Sequence, residues 1–84
     1  MDDALFRDLC LAAGLPAERA VSDTDLPDLR RGNPFLFYAV VTAFEAQCDL
    51  AFPEALIEVV GTLGELGELV DLRRAQGLGR EAST

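Results

Sequence analysis

Few groups in this chain could do chemistry, and their spacing suits it poorly. There is no histidine, which removes the commonest general base and metal ligand. The two cysteines, Cys10 and Cys48, sit inside helical patterns with no CxxC partner, so they read as small buried hydrophobes and not as a disulfide or a metal pair. Carboxylates are plentiful, but no two are spaced as a pair on an apolar wall, and no nucleophile has a base placed to activate it. Neither catalysis nor a bound cofactor or metal is expected.

Charge narrows the partners. Fifteen acids stand against seven bases, every base is Arg, and the net charge is −8. Such a surface repels phosphate backbones, which excludes nucleic acid, and suits partners that present Arg or Lys. No run is long enough to span a membrane and no signal peptide opens the chain, so the expected location is cytoplasmic. The 84 residues make one small domain, and half of them are apolar, enough for a core without staples.

The elements that must position any site are read from caps and periodicity. The longest apolar stretch, residues 32–49, predicts a central helix. Asn33 is a preferred N-cap and Pro34 falls at the first helical position, where its missing N–H costs nothing. Phe37, Val40, Val41, Phe44 and Cys48 then form an inward stripe of helical period. Before it, residues 3–13 read as a helix capped by Asp2 or Asp3 and stopped by Gly14, with Leu5, Leu9, Ala12 and Ala13 inward. Phe6, Cys10 and Leu11 widen that stripe, through deeper packing or contact with another chain.

From Leu15 to Gly32 the pattern is that of a long loop pinned by Val21, Leu26 and Leu29, with Arg30 and Arg31 solvated. Leu50–Pro53 is a tight link, and Pro53 begins a short helix through about Val59. Thr62 and Glu65 fit a capping box for a last helix whose inward face is Leu63, Leu66, Leu69, Val70 and Leu72. Gly64 and Gly67 weaken that helix, and Gly67 permits close packing. The expected architecture is all-α: four helices, the third short, with a long loop between the first two. The domain covers residues 1–74, and residues 75–84 read as a frayed, flexible tail.

In this order the chain resembles the acyl or peptidyl carrier proteins over nearly all of residues 3–72. Gly14 followed by Val21, Leu26 and Leu29 resembles their first loop. Phe44-Glu45-Ala46-Gln47-Cys48-Asp49-Leu50-Ala51-Phe52-Pro53 resembles the exit of their second helix into a hydrophobic-Pro step. Val60-Gly61-Thr62-Leu63-Gly64-Glu65-Leu66-Gly67-Glu68-Leu69-Val70 is similar to the start and body of their last helix. The resemblance implies a four-helix carrier-type bundle.

It also implies what is missing. Carriers bear phosphopantetheine on the serine of an Asp-Ser-Leu motif opening helix II, and that motif lands on Asn33-Pro34-Phe35. Counting from Gly14 and from Pro53 both put Pro34 at the serine, and proline has no hydroxyl. Ser22, Thr24 and Thr42 are the nearest hydroxyls, in the loop or further into the helix. Carriers also show acids on the outer face of helix II. Here that stripe holds Leu36, Ala39 and Ala43, with Glu45 and Asp49 returning later as a rim. With Asn33, Pro34 and Phe35, these form either an interaction patch or ordinary exposed apolar surface.

The expected function is therefore a carrier-like domain that cannot be phosphopantetheinylated. It would work by protein–protein contact, as an accessory or scaffold in polyketide, fatty-acid or nonribosomal-peptide biosynthesis. Its expected partner is a biosynthetic enzyme with an apolar or basic docking surface, and a homodimer stays open. The alternative is a non-covalent binder of an acyl or other apolar molecule, held between the helices by Phe37, Val40, Phe44, Phe52, Leu66 and Leu69.

Overall fold

Cap chemistry and two short breaks divide the chain into helices. The computed structural model describes the backbone of residues 1–49 and 51–82, and the side chains of that set as far as Gln76. Five α-helices occur among the described residues, and no strand: α1 (Asp3–Ala13), α2 (Leu26–Gly32), α3 (Pro34–Cys48), α4 (Glu54–Val59) and α5 (Leu63–Ala82). The protein is all-α, as the periodicity predicts. No helix among the described residues is long and apolar enough to cross a membrane.

Helix α1 is capped by Asp2, whose side chain accepts from the Ala4 N–H at 3.3 Å. It ends at Gly14 in the left-handed region, φ 109°, a conformation an L side chain adopts only with strain. Cys10 is fully buried on its inner face, and Phe6 stands edge-on to Phe44 with ring centroids 5.7 Å apart.

The long loop expected over residues 15–32 is not a loop throughout. A 3-10 turn occupies Ala17–Arg19, and α2 forms where the sequence places Asp25, Pro27 and Asp28. The Asp25 carboxylate accepts from the Asp28 N–H at 2.9 Å, Pro27 lies in the first turn, and Arg30 and Arg31 complement the dipole at the last. Seven residues hold fewer than two turns, so Leu26 and Leu29 alone could not display a period. Those two pins are buried as expected, but Val21 is exposed; Leu15, Ala20 and Thr24 anchor the segment instead. The Thr24 hydroxyl donates to the Arg19 carbonyl at 2.7 Å.

Asn33 serves two helices. Its N–H donates to the Leu29 carbonyl at 2.8 Å and closes α2, while its side-chain oxygen accepts from the Leu36 N–H at 3.2 Å and opens α3. Helix α3 is the centre: α1, α2 and α5 all pack on it, and Phe37, Val40, Val41 and Phe44 are buried. Cys48, the last of the predicted stripe, is half-buried, and its thiol donates to the Glu45 carbonyl at 3.5 Å. Asp49 ends the helix in the left-handed region at φ 55°. Of the link expected over residues 50–53, Leu50 lies outside the described residues, and Phe52 is buried.

The segment before α2 is stitched to the start of α5 by three backbone bonds. Leu26 N–H donates to the Gly61 carbonyl at 3.1 Å, Leu63 N–H to the Thr24 carbonyl at 3.0 Å, and Gly64 N–H to the Ser22 carbonyl at 2.8 Å. A Cβ on Gly64 would lie 2.9 Å from Ser22 Cβ and 3.0 Å from its carbonyl oxygen, so this approach requires glycine. Gly67 is buried under Phe6, with a ring carbon 3.3 Å from where a Cβ would stand. The capping box forms with one change. Glu65 N–H donates to the Thr62 hydroxyl at 3.3 Å, but the Glu65 carboxylate reaches the Gly61 N–H at 2.8 Å, one residue beyond the usual partner.

Along α5, Leu63, Leu66 and Val70 are buried and Leu69 is half-buried, whereas Leu72, placed on the inward face from sequence, is exposed. The helix also runs past the boundary expected at residue 74, through Ala82. Ala75 and Gln76 are good helix formers, and Gly77 and Gly79 after them lower helix propensity without removing a backbone donor as proline would. Residues 83–84 of the expected tail lie outside the described residues.

Candidate functional site

The helix-α3 mouth is built from Asn33 and Pro34, both exposed. The cap is satisfied and the first position carries no donor, so this end of α3 presents no hydroxyl, thiol or amine. Of the nearby hydroxyls, Thr24 is buried and bonded to the Arg19 carbonyl, Thr42 lies two turns into α3, and Ser22 sits in the segment stitched to Gly64. The Cys10 thiol is pushed up to about 11 by burial, which keeps it protonated and unreactive near neutral pH. No group of three His, Cys, Asp or Glu among the described residues is placed to hold a metal ion.

What the mouth does present is an aromatic ring. Phe35 is 89% exposed, the largest exposure of any large hydrophobic side chain among the described residues. Beside it lies a shallow groove of about 530 Å³ between α3 and the end of α1, with Phe35, Tyr38, Ala39, Thr42 and Ala43 on one side and Ala12 and Ala13 on the other. None of these residues carries a charge. Four of its lining residues are alanines, and Phe35 and Tyr38 are its aromatic members.

The apolar surface therefore differs from the predicted stripe. Ala39 is exposed as expected, but Leu36 and Ala43 are half-buried and packed against the core. Leu36 leans over the end of α1, with its Cδ1 3.4 Å from where a Cβ on Gly14 would lie. Glu45 is not a rim acid. Its carboxylate turns in to accept the Phe52 N–H at 2.6 Å, and so anchors the link after α3. Asp49 stays exposed, with its backbone spent on ending the helix. The outer face is better described by Phe35, Tyr38, Ala39 and Thr42; the i, i+4, i+7 spacing of Phe35, Ala39 and Thr42 was available in the sequence.

Through Tyr38 the groove adjoins a clamp centred on Arg30, which is not a freely solvated cation. Its guanidinium donates to Glu54 Oε1 at 3.1 Å and to the Tyr38 oxygen at 3.3 Å, and the Tyr38 hydroxyl donates to the same Glu54 oxygen at 3.2 Å. It also lies 5.6 Å from the Phe37 ring centroid and 5.9 Å from that of Tyr38. A cleft of about 210 Å³ between α2 and α4 opens beside it, lined by Leu26, Ile57 and Val60 among others. The inter-helix space proposed for an apolar ligand is occupied by side chains: Phe37, Val40, Phe44, Phe52 and Leu66 are all buried in the core.

Comparison with protein-family models, with curated proteins and with solved structures finds no match to this chain. Its class is that of an all-α helical domain with an uncharged face on its central helix, and the carrier-protein resemblance stands on its own residues alone.

Proposed function

We propose that this chain is a carrier-protein-like domain that takes no phosphopantetheine and works by protein–protein contact, as an accessory or scaffold in polyketide, fatty-acid or nonribosomal-peptide biosynthesis. One observation carries the reading. The helix end where a carrier bears its arm is here closed by Asn33 and Pro34, and the adjoining residue is an 89% exposed phenylalanine on an uncharged groove. An exposed aromatic continuous with an apolar patch is a usual mark of a contact surface. The partner it fits offers an apolar surface, because a charge brought against this groove would be desolvated without a counter-charge.

The test has two arms. Incubated with coenzyme A and a broad-specificity phosphopantetheinyl transferase, the protein should keep its mass; a gain matching the arm overturns the reading. Purified from its native host, it should carry a biosynthetic enzyme with it. Phe35→Asp should abolish that association while changing stability by no more than about 0.5 kcal/mol, the range usual for surface substitutions. Association that survives the substitution removes the α3 face from the mechanism.

A further inference from the structure

Helices α4 and α5 leave a second groove, of about 290 Å³ and open to solvent, on the side of the molecule carrying the start of α5. Leu56, Val59 and Val60 form one wall, and Leu69 and Leu72 the other. Val59 is 74% exposed and Leu72 is 54% exposed, so apolar side chains line the groove without being covered. Glu65, Glu68, Leu69 and Leu72 fall at i, i+3, i+4 and i+7 of α5, which sets two carboxylates in line with the two leucines. Glu65 spends one oxygen on the Gly61 N–H, and Glu68 enters no ion pair among the described residues. No basic side chain lines the groove.

Aliphatic walls edged by carboxylates without cations, in a chain of net charge −8, select an occupant by charge as well as by shape. The geometry points to a docking groove for an amphipathic helix of a partner protein, one with aliphatic residues at i, i+3, i+4 and i+7 and Arg or Lys beside them. A second copy of this chain fits worse, because it would set carboxylates against carboxylates. The inference does not depend on the carrier-like reading. If both hold, the domain has two separate contact faces, which is what a scaffold joining two proteins requires.

The test uses the full chain, labelled with nitrogen-15, and two synthetic helical peptides sharing one Leu stripe at i, i+3, i+4 and i+7. One peptide is flanked by Arg and the other by Glu. The Arg peptide should bind with amide shifts centred on residues 56–60 and 65–72, at least about tenfold more tightly than the Glu peptide. Val59→Asp should abolish binding with an unchanged melting temperature. The double variant Glu65→Gln, Glu68→Gln should narrow the difference between the peptides while keeping the helix cap, since Gln also serves at that position. Equal binding of the two peptides, shifts centred on residues 35–43, or no binding of either would overturn the inference. So would a dimer in sedimentation that Val59→Asp dissociates, which would make a second copy the occupant. None of these results alters the mass or Phe35 tests of the α3 face.

Discussion

The two flanks of α3 share one apolar core and differ in what closes them. Towards α1 and α5 the contact is apolar and close: Phe44 meets the Phe6 ring edge-on, and Gly67 brings the α5 backbone under the same ring. Towards α2 and α4 the contact closes with a polar clamp, Arg30 joining Glu54 and Tyr38 while stacking near Phe37. The first flank loses rings from water and gains area-proportional stability. The second spends charges that remain partly solvated, at 35% exposure for Arg30 and 56% for Glu54, where an ion pair is worth little. Both flanks bury apolar side chains, Leu26 and Leu29 among them on the second; what differs is that only the second adds a partly solvated ion pair. Of the two proposed docking grooves, the one across α4 and α5 has no ion pair on its lining among the described residues, whereas the one beside the α3 mouth adjoins the clamp through Tyr38.

This contrast breaks most sharply at Phe44. Replacing it with Ala should cost about 3–5 kcal/mol, enough to unfold much of a domain this small, read by urea denaturation. A loss below about 1 kcal/mol would mean that Phe44 does not hold this flank together.

Next in size is an alkaline effect on the same flank. Cys10 titrates at about 11 in the fold against 9.0 when unhindered, because burial disfavours the thiolate. The folded state thus holds the proton more tightly, so its stability is complete below about 9 and falls as pH rises from 9.0 towards 11. Two pKa steps correspond to a loss of about 2–3 kcal/mol. In Cys10→Ala the decline over that window should be smaller by that amount, whatever the variant's stability at neutral pH. An unchanged decline would show that the thiol is hydrated.

Gly64→Ala sharpens the comparison by testing close approach without rings. The new methyl meets the Ser22 backbone, which cannot turn aside as a side chain can, so overpacking of about 1–3 kcal/mol should outweigh the gain of about 1 kcal/mol that Ala brings to a helix. A stabilised variant would mean that the stitch between Ser22 and α5 is loose.

The smallest effect belongs to the polar clamp. Arg30→Gln should cost less than about 1 kcal/mol, and less again at high salt. A salt-independent loss as large as that of Phe44→Ala would make the clamp a core element and erase the distinction between the flanks.

Much of this arrangement was legible in the residues themselves, wherever one local signal sufficed. Asn33-Pro34, the Gly14 stop, the Thr62–Glu65 cap and the period of Phe37, Val40, Val41 and Phe44 each act within one or two turns of chain, so the sequence determined where α1, α3 and α5 begin and which face of α3 is buried. The absence of a hydroxyl at the α3 mouth is likewise a property of sequence alone. Helix α2 escaped because seven residues show too little period, although Asp25, Pro27 and Asp28 mark its start. The remainder was decided by distant parts of the chain. Nothing local tells that Glu45 turns to the Phe52 N–H, that Arg30 meets Glu54, or that Leu36 leans over Gly14 while Phe35 stays outside. Side chains one position apart on a helix point about 100° from each other, and whether each meets protein or water depends on which neighbour occupies that direction. Only the packing of α1, α2 and α5 around α3 supplies that neighbour, so only the tertiary structure decides which apolar residues hold the fold and which stay exposed.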